Sequence, residues 1–262
     1  MEPLPRVVLT IAGSDPSGGA GVQADLRAIA VHGHVGAAVI TALTVQNSSG
    51  VSQVASVDSA LVSAQLRAVL DDMEIAAVKI GMLGNRAITE AVAEALRDVK
   101  APIVLDPVIR STSGAQLLSP DAVRVLRDEL LPLCALVTPN LEEGRVLLDG
   151  SEPDARELSR QARVPVLLTG GHGAGDHVTD TLAWPGGQVV HYNAPRIQTL
   201  HDHGTGCLLS TSISCALASS LSLQDAVLSG RSCVREGLRS ARPLGKGRGP
   251  VLLLRLPETC GD

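Results

Sequence analysis

The stretch VVLTIAGSDPSGGAG, Val7–Gly21, decides the fold of this chain. Val7–Ala12 is a short apolar run of the kind that forms a buried strand, and the glycine-rich segment Gly13–Gly19 ends it. Gly21–His32 then has the pattern of a helix. A strand, a glycine-rich loop and a helix in this order begin an alternation that is typical of parallel sheets.

The same alternation continues along the rest of the chain. Strands are predicted at Ala37–Val45, Val51–Val57, Ala77–Ile80, Ile103–Leu105, Ala135–Val137, Val166–Leu168 and Val251–Leu256. Helices are predicted at Asp58–Met73, Arg86–Val99, Pro120–Leu131, Glu142–Leu148, Asp154–Ala162, Thr205–Ser219 and Leu223–Arg239. Thr179–Tyr192 has a Pro-Gly-Gly turn between two apolar segments, which predicts a small antiparallel hairpin. We therefore expect an α/β protein, one domain over residues 1–262, with a mostly parallel central sheet and helices on both faces.

The composition excludes several classes of protein. Hydrophobic residues make up 45% of the chain and aromatic residues only 1%, so the aromatic faces that bind single-stranded nucleic acids are missing. The net charge of -5 comes from scattered residues, which also argues against a nucleic-acid partner. No apolar run approaches the roughly 18 residues of a membrane span. The 5 cysteines lack C-x-x-C spacing and the N-terminus lacks a signal-peptide pattern, so we expect a cytoplasmic protein.

The turn HGTGC, His203–Cys207, is the most informative candidate site. Gly204 and Gly206 let the backbone approach a ligand closely, and the helix predicted to start at Thr205 presents unpaired N–H groups and a positive dipole end. This is an anion hole that suits a transferring phosphoryl group. The dipole would favour a thiolate at Cys207, which makes this residue a candidate base. An ordinary helix start with an inert buried cysteine is the alternative.

Polar residues at other strand ends are weaker candidates. The loop Gly13–Gly21 is neither a Walker A loop nor G-x-G-x-x-G, so it either wraps a small polar substrate or only turns the chain. Asp25 lies one turn into the next helix, where an acidic residue more commonly faces solvent than a ligand. Gln46 ends an apolar strand with an amide that binds either a substrate edge or the loop backbone. Met82 is equally suited to the core and to a pocket wall.

Two acidic residues follow neighbouring strands. Asp106 comes directly after Val104–Leu105, and Glu143 lies in the segment that follows the strand at Ala135–Val137. Together they could hold Mg²⁺ through water beside nucleotide phosphates, whereas each alone would be a helix cap or a surface acid. Gly170–Gly173 has the composition of a further phosphate-side turn or of a surface loop.

Taken in order, these segments resemble the hydroxymethylpyrimidine/phosphomethylpyrimidine kinases of the ribokinase-like superfamily. The resemblance covers nearly the whole chain, and its first block is highly specific. It rests on Ile11–Leu26, Ile40–Asn47, Val78–Leu83, Val104–Val108, Thr138–Leu141, Gly170–His172, His203–Cys207 and Pro243–Val251.

The resemblance implies a three-layer α/β/α ribokinase-like fold, with ATP and Mg²⁺ as cofactors. It also implies two successive transfers in thiamine biosynthesis, first to 4-amino-5-hydroxymethyl-2-methylpyrimidine and then to its monophosphate. Gln46 would bind the amine edge of the pyrimidine, and Cys207 would take the hydroxyl proton within the anion hole of Gly204, Thr205 and Gly206. The other residues carried over by position are Gly13, Ala20, Asp25, Met82 and Val108 for the substrate, Asn140, Thr169, Gly171 and His203 for the nucleotide, and Asp106 and Glu143 for the metal.

The chain departs from the family pattern at two places. Thr169 stands where many relatives have a lysine that would neutralise donor phosphate, and His201-Asp202 replaces the more usual Asn-Thr before His203. Both departures bear on nucleotide affinity and rate. A kinase for pyridoxine-like vitamers is the nearest rival, since that branch shares the cysteine anion hole, and a non-catalytic pyrimidine-binding regulator is a rival of another class. We expect small-molecule substrates, no nucleic-acid or membrane partner, and a homodimer.

Overall fold

A computed structural model describes residues 5–111, 114–171 and 175–256. The strands are β1 (Val7–Ser14), β2 (Val35–Asn47), β3 (Gly50–Ser56), β4 (Ile75–Ile80), β5 (Ile103–Leu105), β6 (Leu136–Val137), β7 (Val166–Leu168), β8 (His177–Ala183) and β9 (Val189–Pro195). The helices are α1 (Gly21–Val31), α2 (Ser59–Leu70), α3 (Arg86–Leu96), α4 (Pro120–Val125), α5 (Leu141–Leu147), α6 (Ala155–Ala162), α7 (Thr205–Ala218) and α8 (Leu223–Ser240). After α4 the chain continues as a π turn, Leu126–Leu130, and a 3-10 turn, Leu131–Leu133.

The strands of the described residues form one sheet in the order β3-β2-β1-β4-β5-β6-β7-β8-β9. The six strands from β2 to β7 in this order are parallel to one another. The predicted hairpin is confirmed as β8 and β9, which are antiparallel at one edge. A second antiparallel pair, β2 with β3, lies at the other edge and was not expected.

The strand predicted at Val251–Leu256 is wrong. This segment has no strand partner in the described chain beyond a backbone bond from Val251 to the carbonyl of His203. Its apolar side chains Val251 and Leu253 are buried against Leu208 of α7 and Cys233 of α8 instead. The apolar run therefore packs on helices. Composition alone does not distinguish a short apolar run of this kind from a buried strand.

Helices cover both faces of the sheet, which confirms the predicted three-layer α/β/α arrangement. Leu9 and Ile11 of β1 pack into a core with helices α2 to α6, whereas Val8, which points to the other face, packs towards α1 and α7. The same alternation holds in β7, where Val166 and Leu168 join the larger core and Leu167 joins the core under α7 and α8. Strands buried on both faces have this near-continuous apolar sequence. In the described chain, no helix combines the length and apolar character needed to cross a membrane.

A buried ion pair joins four of these elements. Lys79 of β4 donates to Asp25 of α1 at 2.8 Å, and both side chains have 0% exposure. Thr10 of β1 donates to the same carboxylate at 2.6 Å, and Thr211 of α7 donates to its other oxygen at 2.8 Å. Loss of one charge would leave the other buried without a partner, which costs about 3–5 kcal/mol of stability. The pair therefore holds the helices α1 and α7 at fixed positions on the sheet.

Candidate active site

A cavity of about 570 Å³ opens at the carboxyl ends of the parallel strands. Ligands bind at this edge in open α/β sheets. All predicted site residues except Asp25 line it: Gly13, Ala20, Gln46, Met82, Asp106, Val108, Asn140, Glu143, Thr169, Gly171, His203, Gly204, Thr205, Gly206 and Cys207. His172 and Gly173, from the predicted phosphate-side turn, lie outside the described residues.

The expectations for Asp25 are wrong. Its side chain is fully buried rather than on an exposed helix face, and it lies beneath the cavity rather than on its wall. Its oxygens accept hydrogen bonds from Thr10, Lys79 and Thr211, which hold the carboxylate among the core elements rather than at the cavity. Lys79, which the sequence analysis did not single out, does reach the cavity wall.

One end of the cavity is a narrow apolar slot. Gly13 has no side chain, and a Cβ at this position would meet the sulfur of Met82 at 3.0 Å. Met82 packs with Ala42 and Leu117, and Val108 closes the same cluster. The amide of Gln46 lies on the wall of the same cavity. A flat ring with one polar edge fits such a combination of apolar walls and one amide.

An Asp15–His203 pair joins the first loop to the HGTGC turn. His203 Nε2 lies 3.0 Å from Asp15 Oδ2 and 3.2 Å from the Gln46 amide. Asp15 also accepts hydrogen bonds from the backbone N–H groups of Ser17 and Ala20. Burial alone would raise the pKa of Asp15, but the hydrogen bonds from His203 and Ser17 lower it overall. Asp15 is therefore an ionised group at the substrate slot. His203 was expected to bind the nucleotide, but it lies at the substrate slot, in contact with Asp15 and Gln46.

The start of α7 is shaped for an anion. Thr205 N–H bonds to the carbonyl of Asp202, and the first helical bond runs from Leu208 N–H to the carbonyl of Gly204. The N–H groups of Gly206 and Cys207 belong to the first turn, whose donors have no helix carbonyl to pair with. Gly204 has φ +87°, and a Cβ there would overlap the carbonyl oxygen of Gly19. The first loop and the anion-hole turn are thus in direct backbone contact.

The structure corrects the expectation that the helix start favours a thiolate at Cys207. Burial, and to a smaller extent the carboxylates of Asp25 and Asp106, raise the pKa of this thiol to about 12. The ammonium of Lys79 and a backbone hydrogen bond from Gly21 act in the opposite direction but do not prevail. Desolvation therefore outweighs the dipole, and Cys207 is a thiol at neutral pH.

Two buried carboxylates lie beside this turn. A Cβ on Gly206 would meet Asp106 Oδ2 at 3.3 Å, and Asp106 is 5% exposed. Glu143 forms a capping box at the start of α5, where its side chain accepts from the backbone N–H of Asn140. Burial raises the pKa of both groups, and the negative charge of Asp106 raises that of Glu143 further.

These carboxylates fit a divalent cation in part. Two adjacent buried acids are stabilised when a cation offsets their charge, and carboxylate oxygens are the ligands that Mg²⁺ prefers. No cluster of three or more His, Cys, Asp or Glu side chains able to hold a metal occurs among the described residues. Water and phosphate oxygens would therefore have to complete the coordination, as they do in many Mg²⁺ sites.

The other end of the cavity is lined by arginines. Arg231 donates to Asp180 at 2.7 Å and to the carbonyl of Tyr192, while Arg235, one turn further along α8, donates to the carbonyl of Pro195. Arg196 donates to the carbonyl of Gly171 at 2.7 Å. Sequence analysis missed these residues, although the four-residue spacing of Arg231 and Arg235 places both on one helix face. Thr169 itself contributes no charge at this end.

The segment before the last described residues completes the wall of the substrate end. Arg248 donates to Asp202 at 2.6 Å, and its backbone N–H bonds to the carbonyl of Ser48 in the β2–β3 turn. His203 exchanges backbone bonds with Gly249 and Val251 on either side. Residues 245–251 therefore pack between the β2–β3 turn and the HGTGC turn.

The substrate slot, the arginines and the start of α7 all line one cavity, as is required when a phosphoryl group passes between two bound small molecules. A cavity of this kind on this sheet defines a ribokinase-like small-molecule kinase. Residues 15–252 match the family model for phosphomethylpyrimidine kinase. The hydroxymethylpyrimidine/phosphomethylpyrimidine kinase of Rhizobium meliloti is 44% identical over 255 residues, which cover 94% of this chain and 96% of that protein.

Solved structures agree with this result. The ADP complex of Bacillus subtilis pyridoxal kinase has a TM-score of 0.87 at 28% identity, covering 95% of this chain and 98% of that one. The phosphomethylpyrimidine kinase of Clostridium difficile has a TM-score of 0.73 at 33% identity, covering 88% of this chain and 98% of that one. The chain belongs to the phosphomethylpyrimidine kinase family, and pyridoxal kinases are its structural relatives.

Two glycines with the same backbone angle separate the effect of close contact from that of strain. Gly204 and Gly187 both have φ +87°, but a Cβ on Gly187 would meet nothing within 4 Å. Gly187→Ala should cost about 1–2 kcal/mol of stability, the usual penalty for a side chain in left-handed backbone. Gly204→Ala should cost more and should also abolish turnover, because the turn must move away from Gly19. Urea unfolding and a kinase assay measure both effects; equal stability loss and retained turnover in Gly204→Ala would contradict the described contact.

Proposed function

We propose that this chain transfers the γ-phosphoryl group of ATP to 4-amino-5-hydroxymethyl-2-methylpyrimidine and then to the resulting monophosphate. The observation that carries the proposal is the single cavity in which an apolar slot with an amide edge meets a helix N-terminus. Family membership and the identity of its curated relatives support the same substrates. The ADP complex of the pyridoxal kinase relative supports an adenine nucleotide as donor.

In the first transfer, the hydroxyl oxygen of the pyrimidine forms a bond to the γ-phosphorus while the bond to ADP breaks. The N–H groups of Gly206 and Cys207 would stabilise the charge on the moving phosphoryl oxygens. The hydroxyl proton would pass to the thiolate form of Cys207, with the Lys79 ammonium as its counter-charge. In a loose transition state that proton leaves only late, when the phosphoryl group has already begun to move.

The second transfer differs in its need for a base. Its acceptor is a phosphate monoester, which is already ionised at neutral pH. No hydroxyl proton has to be removed, so the anion hole and the cations around it would be sufficient. Cys207 would therefore act in the first transfer and be dispensable in the second.

Asp106 and Glu143 would hold Mg²⁺ through its water molecules. When bound, the ion would neutralise charge on the donor phosphates. Asn140 fixes the side chain of Glu143 through the capping box. Asn140 would therefore act at the nucleotide side by holding this acid in position. Arg196, Arg231 and Arg235 would supply the positive charge that Thr169 does not.

Pyridoxine-like vitamers remain the rival substrates. The structural relatives with the higher TM-scores are pyridoxal kinases, but they are only 27–28% identical to this chain, whereas the curated kinases of hydroxymethylpyrimidine reach 44%. The amide of Gln46 favours an aminopyrimidine because it offers a donor and an acceptor side by side. The homodimer expected from the sequence remains a proposal that light scattering on the purified chain can test.

The substrate assignment can be tested by direct assay of the purified chain with ATP and Mg²⁺. Hydroxymethylpyrimidine should give a monophosphate and then a diphosphate. Its kcat/KM should exceed that of pyridoxal by at least about ten-fold, since a site built for hydrogen bonds discriminates against ligands that cannot make them. Chromatography that resolves both products is the measurement. An equal or higher kcat/KM for pyridoxal would overturn the substrate assignment. No turnover of either compound would favour a non-catalytic pyrimidine-binding protein.

The role of Cys207 predicts different effects on the two transfers. Cys207→Ser should slow phosphorylation of the alcohol by roughly 10²–10⁴-fold, the usual contribution of a positioned base, and should leave phosphorylation of the monophosphate nearly unchanged. Cys207→Asp should recover part of the first rate. Labelling of Cys207 by iodoacetamide should become faster with each pH unit between pH 7 and 9, because a thiol with pKa about 12 ionises further throughout that range.

Cys134→Ser is the matched control for this variant. The thiol of Cys134 donates to the carbonyl of Leu130 in the opposite layer, and a hydroxyl can make the same bond. Both transfers should be unaffected in this control. The base assignment fails if Cys207→Ser phosphorylates the alcohol within about three-fold of the wild-type rate.

The metal proposal can be tested at Glu143 without loss of its structural role. Glutamine at this position of a capping box can keep the bond from the backbone N–H of Asn140, and it replaces the carboxylate by a neutral amide. Glu143→Gln should raise the Mg²⁺ concentration for half-maximal activity by roughly 10- to 100-fold. Glu142→Gln, the exposed neighbour in the same helical turn, should leave it unchanged. A wild-type Mg²⁺ requirement in Glu143→Gln would mean that this acid only caps the helix.

A further inference from the structure

His203 occupies an unusual position between a carboxylate and an amide. One ring nitrogen, Nε2, lies 3.0 Å from Asp15 Oδ2 and 3.2 Å from the amide nitrogen position of Gln46. The ring is mostly buried, with 16% of its side chain exposed, and it packs directly over Gly19, where any Cβ would overlap it. His203 is thus fixed in position by the first loop.

The charge of Asp15 decides where the proton of His203 lies. An ionised carboxylate can only accept hydrogen bonds. Asp15 Oδ1 already accepts from the backbone and hydroxyl of Ser17, and Oδ2 accepts from Ala20 N–H. His203 Nε2 must therefore carry a proton and donate it to Asp15.

This proton in turn orients the amide of Gln46. The single Nε2–H group of His203 is shared between Asp15 Oδ2 and Gln46 as a bifurcated hydrogen bond, and it cannot bond to an NH₂ group. The amide oxygen of Gln46 must therefore face the ring, and the NH₂ group must point the other way. The other amide position faces Thr44 Oγ1 at 3.2 Å, and it becomes the NH₂ group once the amide oxygen and nitrogen are exchanged by a 180° rotation. Thr44 donates its own proton to the carbonyl of Ser14 at 2.9 Å, so it is free to accept from the NH₂ group. All the hydrogen bonds of this group are satisfied in one orientation of the amide only.

We infer that His203, held by Asp15, is a positioning residue that sets substrate specificity by fixing the Gln46 amide in one orientation. This inference rests on the proposed function. After its bonds to His203 and Thr44, the amide keeps one N–H and one lone pair for a ligand. Their order along the slot is fixed, so the site accepts a ring edge with an acceptor nitrogen beside an amino group in one direction only. A compound without the amino group loses half of this interaction.

A double-mutant cycle tests whether His203 acts through Gln46. His203→Met keeps the approximate volume of the side chain and removes the donor. It should raise the KM for hydroxymethylpyrimidine by about five- to ten-fold, the effect of one lost hydrogen bond. The KM for ATP should stay the same, and so should the KM for the pyrimidine that lacks the 4-amino group. His203→Gln, whose amide N–H reaches about as far as Nε2, should restore most of the affinity.

The decisive comparison uses Gln46→Leu as the background. If His203 acts through the Gln46 amide, His203→Met should change the KM for hydroxymethylpyrimidine by less than about two-fold in that background, because coupled residues are not additive. An equal loss in both backgrounds would overturn the inference and make His203 a structural residue. A raised KM for ATP would overturn it in favour of a nucleotide contact. Failure of the wild-type chain to phosphorylate hydroxymethylpyrimidine at all would instead refute the proposed function.

Discussion

The buried pair of Lys79 and Asp25 is the interaction on which the rest of the structure depends. It lies where β1, β4, α1 and α7 meet, and the two threonines that complete it belong to β1 and α7. An unpaired charge in such a place is too costly to tolerate, so the four elements have only one satisfactory arrangement. Burial would lower the pKa of Lys79, but the carboxylates of Asp25 and Asp106 raise it, which keeps the side chain charged. The same ammonium therefore fixes α7 and provides positive charge beneath the start of that helix.

The site above this pair contains more negative charge than its surroundings favour. Cys207, Asp106 and Glu143 all have a raised pKa, and burial is the largest cause in each case. Groups that are perturbed in this way by desolvation and by one another cluster at functional sites. A cation bound beside Asp106 and Glu143 would relieve part of this repulsion.

Most of the fold could be predicted from the sequence, because its apolar segments are short, buried and separated by glycine-rich turns. The strands at Ile103–Leu105 and Val166–Leu168 have the predicted bounds. The error at Val251–Leu256 arose because a short apolar run has the same composition whether it pairs with a strand or covers a helix. The unexpected β2–β3 pair has few buried residues, so its sequence has no strong alternation.

The candidate site was predictable where a motif carries the chemistry and unpredictable where distant segments meet. The HGTGC turn could be recognised as an anion hole from its own residues. The contact of His203 with Asp15 joins positions 188 residues apart, and no local pattern indicates it. The pKa of Cys207 was misjudged for a related reason, since a helix start is visible in a sequence but the extent of burial is not.

The packing of residues 245–251 against the HGTGC turn has a consequence for synthesis. These residues bond to His203 and to the β2–β3 turn, so the wall of the cavity is assembled from segments that are synthesised far apart in time. A chain emerging from the ribosome can form β1, β2 and α1 early, since domains fold from the N-terminal side as they are made. The turn at the start of α7 lacks its backbone partners until residue 251 has emerged. A nascent chain would therefore acquire its sheet well before it could bind its ligands in their final positions.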